Sequence, residues 1–325
     1  MIGASFEKFH TGIGEGGSGM EKGIRDFISL KDLSVVELQK LLKNAFDIKA
    51  NPGKYSGSLR GKALALILEK PSLRTRVSFD VGIHQLGGFS VYLSPNEISL
   101  GLRESIHDVA RTLDRMVQGI MVRTFAHEIV LQLAEAASVP VINGLTDFSH
   151  PCQGLADFMT IAEVKKNIRK TKIAYIGDGN NVAHSLIYGA ALTGARLTVA
   201  TPPAYAPDDA VTRWAQAKAR DTGCEIEVVY DPIEAASGAD VIYTDVWTSM
   251  GQEKESARRR KVFKPYQINE ALFRKAKPDA VFMHCLPAHR GEEVTEGVIG
   301  SSRSIVFQQA ENRLHAQKAI LLSLM

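Results

Sequence analysis

From residue 60 onward the chain alternates between short unbroken apolar runs and longer stretches whose apolar residues return every three or four positions. The first kind predicts buried strands and the second predicts amphipathic helices. KALALILEK predicts a strand over 62–69. TRVSFDVGIHQLGG predicts a helix over 75–87, with Phe79, Ile83 and Leu86 on one face and Gly87-Gly88 as its stop. FSVYL, GIMVR and VPVIN read as further strands, separated by the helical ESIHDVARTLDRM and HEIVLQLAEAA. HPCQGLADFMTIAEVKKN predicts a helix over 150–168, with Pro151 at its first position, where a missing N–H costs nothing. The rhythm then restarts with KIAYIGD, the helical NVAHSLIYGAALTG, RLTVATPP, a helix, CEIEVVY, another helix, ADVIYTDVW, a polar stretch and AVFMHCLP. The last run, ENRLHAQKAILLSLM, predicts an amphipathic helix.

Alternating strands and helices imply parallel sheets covered by helices. Two such runs on either side of the 150–168 helix predict an α/β chain of two domains, each a parallel sheet flanked by helices, with a cleft between them. The expected division is 20–150 and 151–309, and 325 residues suffice for two cores. The glycine-rich first 19 residues resemble a phosphate loop on paper, but no strand precedes them. They read as a disordered leader, with Met20 as the expected true start.

Composition narrows the function classes. A net charge of +3, with acids and bases mixed, is no footprint for nucleic acid, and RRRK at 258–261 reads as a solvated face. Three cysteines, Cys152, Cys224 and Cys285, are too sparse for a disulfide scaffold and favour a reducing, cytoplasmic setting. No stretch approaches the ~18 uninterrupted apolar residues of a membrane helix. The N-terminus has neither the apolar core of a signal peptide nor the arginines of a transit peptide.

The candidate chemistry gathers at strand-to-helix junctions. SLRTR, between strand 62–69 and helix 75–87, combines Ser72, Thr75, a guanidinium from Arg74 and the free N–H groups of a helix start, which together make an anion site. Taken alone it reads equally as a capped helix with surface arginines. Arg123 ends GIMVR, and His150 and Gln153 stand at another helix start on the same predicted sheet edge. An arginine, a neutral histidine and a carboxamide suit a carbonyl and an amide. The expected ligand is phosphate at one end and amide-like at the other.

PSLRTR, HPCQGLAD, DGNN, DVWTSMGQE, HCLPAHRGEEV and QAENRLH resemble, in order and spacing, the aspartate/ornithine carbamoyltransferase family, its ornithine branch in particular, over residues 24–325. The resemblance implies two α/β domains joined by interdomain helices, with helix 310–325 packing back on the first. It implies a homotrimer or a multiple of trimers, and transfer of a carbamoyl group from carbamoyl phosphate to the δ-amine of L-ornithine. Carried over by motif, Ser72, Arg74, Thr75 and the Leu73 N–H hold the phosphate, and Arg123, His150 and Gln153 the carbamoyl group. Arg313 completes the cationic wall. Leu73 stands where the family pattern has threonine. Ser99, in SPNEISLGLRES, occupies the place from which a neighbouring subunit reaches the phosphate, often through His or Gln.

The second run bears on the acceptor. YIGDGNNVAHS looks like a dinucleotide fingerprint, but Val182 occupies the third glycine position and no acid ends RLTVATPP, which disfavours a nicotinamide cofactor. Between Asp240 and Glu253 there is no Lys or Arg, while Asp245 is available to a cation, so a second amine fits better than the extra carboxylate of aspartate. By resemblance Asn181 takes the acceptor's α-carboxylate, with Asp245, Ser249 and Met250 forming the ornithine loop. Putrescine and N-acylornithine remain as other acceptors, and a non-catalytic binding protein as another class. His284, Cys285 and His289 suggest zinc at first sight, but adjacent ligands share a tetrahedral ion poorly and no CxxC or HxxxH pair supports one. A Cys285 nucleophile is unnecessary for an already activated carbamoyl group. By resemblance Cys285 instead lines the reacting amine, the Leu286 carbonyl takes the carbamoyl N–H, and Leu286–Pro287 is cis. Neither metal nor organic cofactor is expected.

Overall fold

Six consecutive buried residues form strand β1 (Ala63–Leu68) at the interior of the first of two sheets in a computed structural model, which describes residues 25–325. The leader expected over 1–19 lies outside the described residues. The first sheet adds β2 (Phe89–Leu93), β3 (Gly119–Arg123) and β4 (Val141–Leu145) in the order β2-β1-β3-β4, all parallel. Strands β1, β3 and β4 are buried along their whole length, which is why they read as continuous apolar runs, whereas edge strand β2 is partly exposed. The second sheet comprises β5 (Lys172–Ile176), β6 (Arg196–Ala200), β7 (Glu225–Val229), β8 (Val241–Thr244) and β9 (Val281–His284), parallel in the order β7-β6-β5-β8-β9.

Three expectations need correction. Helix Leu73–Gln85 begins two residues earlier than the apolar period suggests, because the Ser72 side chain caps it by accepting the Thr75 N–H at 3.2 Å. The last helix, Val306–Leu324, is longer than expected and buried on several faces rather than amphipathic. It packs against helices Pro151–Val164, Val35–Ala50 and Leu73–Gln85, so Gln309, Asn312, Arg313 and Gln317 are all buried. RRRK is not wholly a solvated face. Arg259, in helix Ser256–Phe263, is buried, forms an ion pair with Asp178, donates from Nε to the Trp247 carbonyl at 2.5 Å and lies over the Tyr205 ring.

Candidate active site

In a parallel sheet, ligands collect at the carboxyl ends of strands where the strand order reverses, because the loops diverge there and leave a crevice. Both sheets reverse once near the middle, between β1 and β3 and between β5 and β8. The helix start after β1 carries Ser72, Leu73 and Arg74, and β3 ends in Arg123; the helix start after β5 carries Asn180 and Asn181, and Asp245 follows β8. These residues line one cleft of about 680 Å³, together with His150, Ser249, Met250, Cys285, Leu286 and Arg313. Thr75 and Gln153 are buried and lie outside that lining. Ser99 is not brought to the cleft of its own chain; it sits in a left-handed turn (φ 40°, ψ 62°) after the short helix Pro95–Ile98.

The wall from the first sheet is cationic and lacks counter-charge. Arg313 Nη2 donates to Thr75 Oγ1 at 2.9 Å and Arg123 Nη1 to the same oxygen at 3.4 Å, so one hydroxyl fixes two guanidiniums. Ser72 Oγ lies 3.1 Å from that hydroxyl. Arg74, Arg123 and Arg313 form no ion pair among the described residues, and Nε of both Arg123 and Arg313 is buried without a partner. Burial and the neighbouring guanidinium of Arg313 pull Arg123 below the ordinary arginine range, and burial does the same to Arg74 and Arg313. Guanidiniums nevertheless stay protonated at neutral pH, so the repulsion is real. Burial, reinforced by the same three arginines, drives His150 well below its usual value and keeps its imidazole neutral. Its backbone N–H donates to Ser185 Oγ at 2.8 Å, and its Nδ1 has no partner among the described residues.

The opposite wall carries the negative group. Asp245 accepts the Cys285 thiol at 3.0 Å on Oδ1 and Asn180 Nδ2 at 2.8 Å on Oδ2. Burial, with Asp245 next, raises the Cys285 thiol well above the normal range, so the sulfur stays protonated. Asn181 lines the cleft, but its Nδ2 is committed to the Thr146 carbonyl at 2.5 Å; Asn180, overlooked in the sequence, is the residue on Asp245. Its signal was its rank among helix N-caps, since Asn180 Oδ1 caps helix Asn181–Thr193 through the Val182 and Ala183 N–H groups. The Ser249 N–H donates to Gln252 Oε1 at 3.1 Å, and Met250 is part-exposed at the rim. Leu286–Pro287 is cis and Leu286 has φ 58°.

Two other readings meet the geometry here. The Cβ that Gly179 lacks would fall 2.3 Å from Pro207 N and 2.5 Å from the Tyr205 carbonyl oxygen. The close approach that a dinucleotide pyrophosphate needs is thus filled by the chain's own backbone, which explains a GxG without a nucleotide. Asp245, His284 and Cys285 bring ligand-type atoms within 4.8 Å of one another. His284, however, uses both nitrogens internally: Nδ1 accepts the Leu286 N–H at 2.9 Å, and Nε2 faces Glu293 Oε1 at 3.3 Å. The donor set does not fit an ion.

Residues 25–163 match the family "Aspartate/ornithine carbamoyltransferase, carbamoyl-P binding domain", and residues 169–324 match its "Asp/Orn binding domain". The chain is 55% identical over 303 residues to an ornithine carbamoyltransferase of Thermococcus kodakarensis, covering 93% of this chain and 96% of that one. It superposes on the solved ornithine carbamoyltransferase of Pyrococcus furiosus with a TM-score of 0.89 at 53% identity, over 93% of this chain and 97% of that one. The Giardia lamblia ornithine transcarbamoylase gives a TM-score of 0.84 at 35% identity, over 92% and 97%. The chain belongs to the aspartate/ornithine carbamoyltransferase family.

Proposed function

We propose that the protein transfers the carbamoyl group of carbamoyl phosphate to the δ-amine of L-ornithine, giving L-citrulline and phosphate. One observation carries this reading: three guanidiniums without carboxylate partners face, across one cleft, a carboxylate held by Asn180 and Cys285. Such a wall is costly until an anion arrives, and a dianionic acyl phosphate supplies the missing charge. Asp245 suits an acceptor that carries amines rather than an extra carboxylate, and the relatives' names specify ornithine.

Ser72, Arg74, Thr75 and the Leu73 N–H hold the phosphate. Arg123, His150 and Arg313 polarise the carbamoyl carbonyl, while Gln153 and the Leu286 carbonyl take its N–H groups. Asn181, Asp245, Ser249 and Met250 place the amino acid. The neutral δ-amine attacks the carbamoyl carbon, a C–N bond forms, the C–O bond to phosphate breaks, and the amine's surplus proton leaves with phosphate or solvent. An amine of pKa about 10.4 is neutral in roughly one molecule in a few thousand at pH 7, a cost of about 4–5 kcal/mol. Crowding it beside three guanidiniums in a site emptied of water lowers that cost. The same cations stabilise the oxyanion as it develops.

A relative named as the anabolic enzyme supports a place in arginine biosynthesis. Three free cysteines fit a reducing cytoplasm. Among the described residues no helix is long and apolar enough to cross a membrane. Residues 20–150 serve as the carbamoyl phosphate lobe and 151–309 as the ornithine lobe. The protein acts as a homotrimer or a multiple of one, in which Ser99 of a neighbour approaches the phosphate. Exposed Leu73, Val77 and Val81, spaced one helical turn apart, offer apolar surface for that association.

Citrulline formation from carbamoyl phosphate and ornithine, with putrescine and aspartate assayed in parallel, tests the reading. Turnover with ornithine at least a hundredfold above either alternative is expected; equal or greater turnover with another amine would displace it.

A further inference from the structure

A buried relay of polar side chains behind the cleft ties helix Pro151–Val164 to the second sheet and to the last helix. It begins at the His284 backbone N–H, a group that can only donate, which gives its hydrogen to Gln309 Oε1 at 2.9 Å. That contact fixes which end of the Gln309 carboxamide points where. Its Nε2 therefore donates to Asp157 Oδ1 at 2.7 Å, and lies 3.1 Å from the Tyr243 hydroxyl oxygen. Asp157 Oδ1 also receives Gln153 Nε2 at 2.8 Å, and Oδ2 receives the Tyr243 hydroxyl at 3.1 Å. Gln153 and Asp157 are four residues apart and share a face of helix Pro151–Val164. All five residues are buried.

The polarity of this chain has a consequence at its far end. With its nitrogen donating to Asp157, the Gln153 carboxamide has its carbonyl oxygen turned the other way, buried and without a partner among the described residues. A glutamine turned the other way would present an N–H₂, which repels the carbamoyl N–H₂ and cannot accept from it. We infer that Asp157 is a positioning residue: together with Gln309 it locks the Gln153 carboxamide with its oxygen outward, so that the site accepts the N–H₂ end of a carbamoyl phosphate rather than any acyl phosphate. The inference rests on the proposed contact between Gln153 and the carbamoyl group.

The lock does not require Asp157 to be charged. Burial pushes its carboxyl up to about 7, against donation from Gln153, Gln309 and Tyr243. Both carboxamides converge on Oδ1 while Oδ2 faces only Tyr243, so a proton on Oδ2, with the Tyr243 hydroxyl turned away, would leave Oδ1 free to accept them. Selectivity is therefore built into the connectivity, from a backbone amide beside Cys285 through helix Pro151–Val164.

Acetyl phosphate tests it, because it keeps the phosphate and carbonyl and replaces N–H₂ by methyl. Calorimetric affinities of the full-length protein for carbamoyl and acetyl phosphate give a ratio for each variant. Asp157→Leu removes the acceptor, and should lower the ratio about tenfold by weakening carbamoyl phosphate alone. Asp157→Asn keeps an acceptor oxygen and should restore the ratio to within about threefold of the parent. Gln153→Leu should match Asp157→Leu. An unchanged ratio in Asp157→Leu, with a lowered one in Gln153→Leu, overturns the relay alone. An unchanged ratio in Gln153→Leu overturns the Gln153 contact and the relay with it. If Asp157→Leu does not fold, Gln309→Met decides: a fall of at least about threefold supports the relay, and no change overturns it.

Discussion

The Cys285 thiol and the Asn180 carboxamide grip opposite oxygens of the Asp245 carboxylate, at 3.0 and 2.8 Å. The group is therefore fixed in place, with its remaining acceptor capacity toward the cleft that it lines. Asp245→Asn removes the charge and keeps the shape. KM for ornithine should rise by about 30- to 1000-fold, equivalent to ~2–4 kcal/mol for a desolvated ion pair broken on one side. Carbamoyl phosphate affinity, measured calorimetrically, should remain within about twofold, since its wall is on the other lobe. An equal loss for both substrates would place Asp245 elsewhere in the mechanism.

Arg313 is buried beside Arg123 and Arg74 with a hydroxyl as its only hydrogen-bonding partner among the described residues. Replacing a buried charge that has no counter-charge by an apolar side chain of similar volume relieves its desolvation penalty and its repulsion from the neighbouring guanidiniums. Arg313→Met should therefore raise the melting temperature of the ligand-free protein while abolishing detectable turnover. Scanning calorimetry with a citrulline assay on the same sample checks both; a melting temperature lowered by several degrees would mean that the arginine is structural.

Ornithine reacts through its neutral amine, so kcat/KM for ornithine should climb from pH 6 to about 8.5. His150, held neutral by burial and by Arg313, Arg123 and Arg74, has its titration moved below that window, because a lowered pKa shifts protonation to more acid solution. A single rising limb is expected. A second break close to the ordinary histidine value of 6.5 would show that His150 gains its proton in the working range.

Asp178 and Arg259 form a buried ion pair at the edge of the cleft, and both line it. Arg259→Met leaves Asp178 unpaired and should cost about 3–5 kcal/mol in denaturant unfolding. Adding Asp178→Asn should recover part of that loss. A double variant no better than the single one would show that Arg259 acts through its stacking on Tyr205 instead.

The strand–helix alternation was legible because parallel strands buried on both faces leave unbroken apolar runs, as in β1 and β3. Of the cationic wall, Arg123 was legible at a strand end and Arg74 at a helix start, whereas Arg313, inside the last helix, was placed only by the family resemblance. Features set by distant contacts were not legible. Arg259 looks like its neighbours Arg258 and Arg260 in sequence, and only the fold puts Asp178, eighty-one positions away, against it. The doublet Asn180-Asn181 offers identical side chains, and the choice between capping a helix, holding Asp245 and reaching Thr146 depends on backbone direction at the turn. The last helix carries Gln309, Asn312 and Gln317 on faces that periodicity assigns to solvent, because it is enclosed by three others.

Thr75 and Arg313 meet across 238 positions of sequence. During synthesis the ribosome therefore releases the capped helix start that carries Thr75 long before the guanidinium that meets it exists. A half-made polypeptide cannot sequester a reactive acyl phosphate, and competence arrives in one step when the closing helix docks. Loss of that helix would also strip a shared buried face from three others, so the cleft and the core around it depend on the same closing segment.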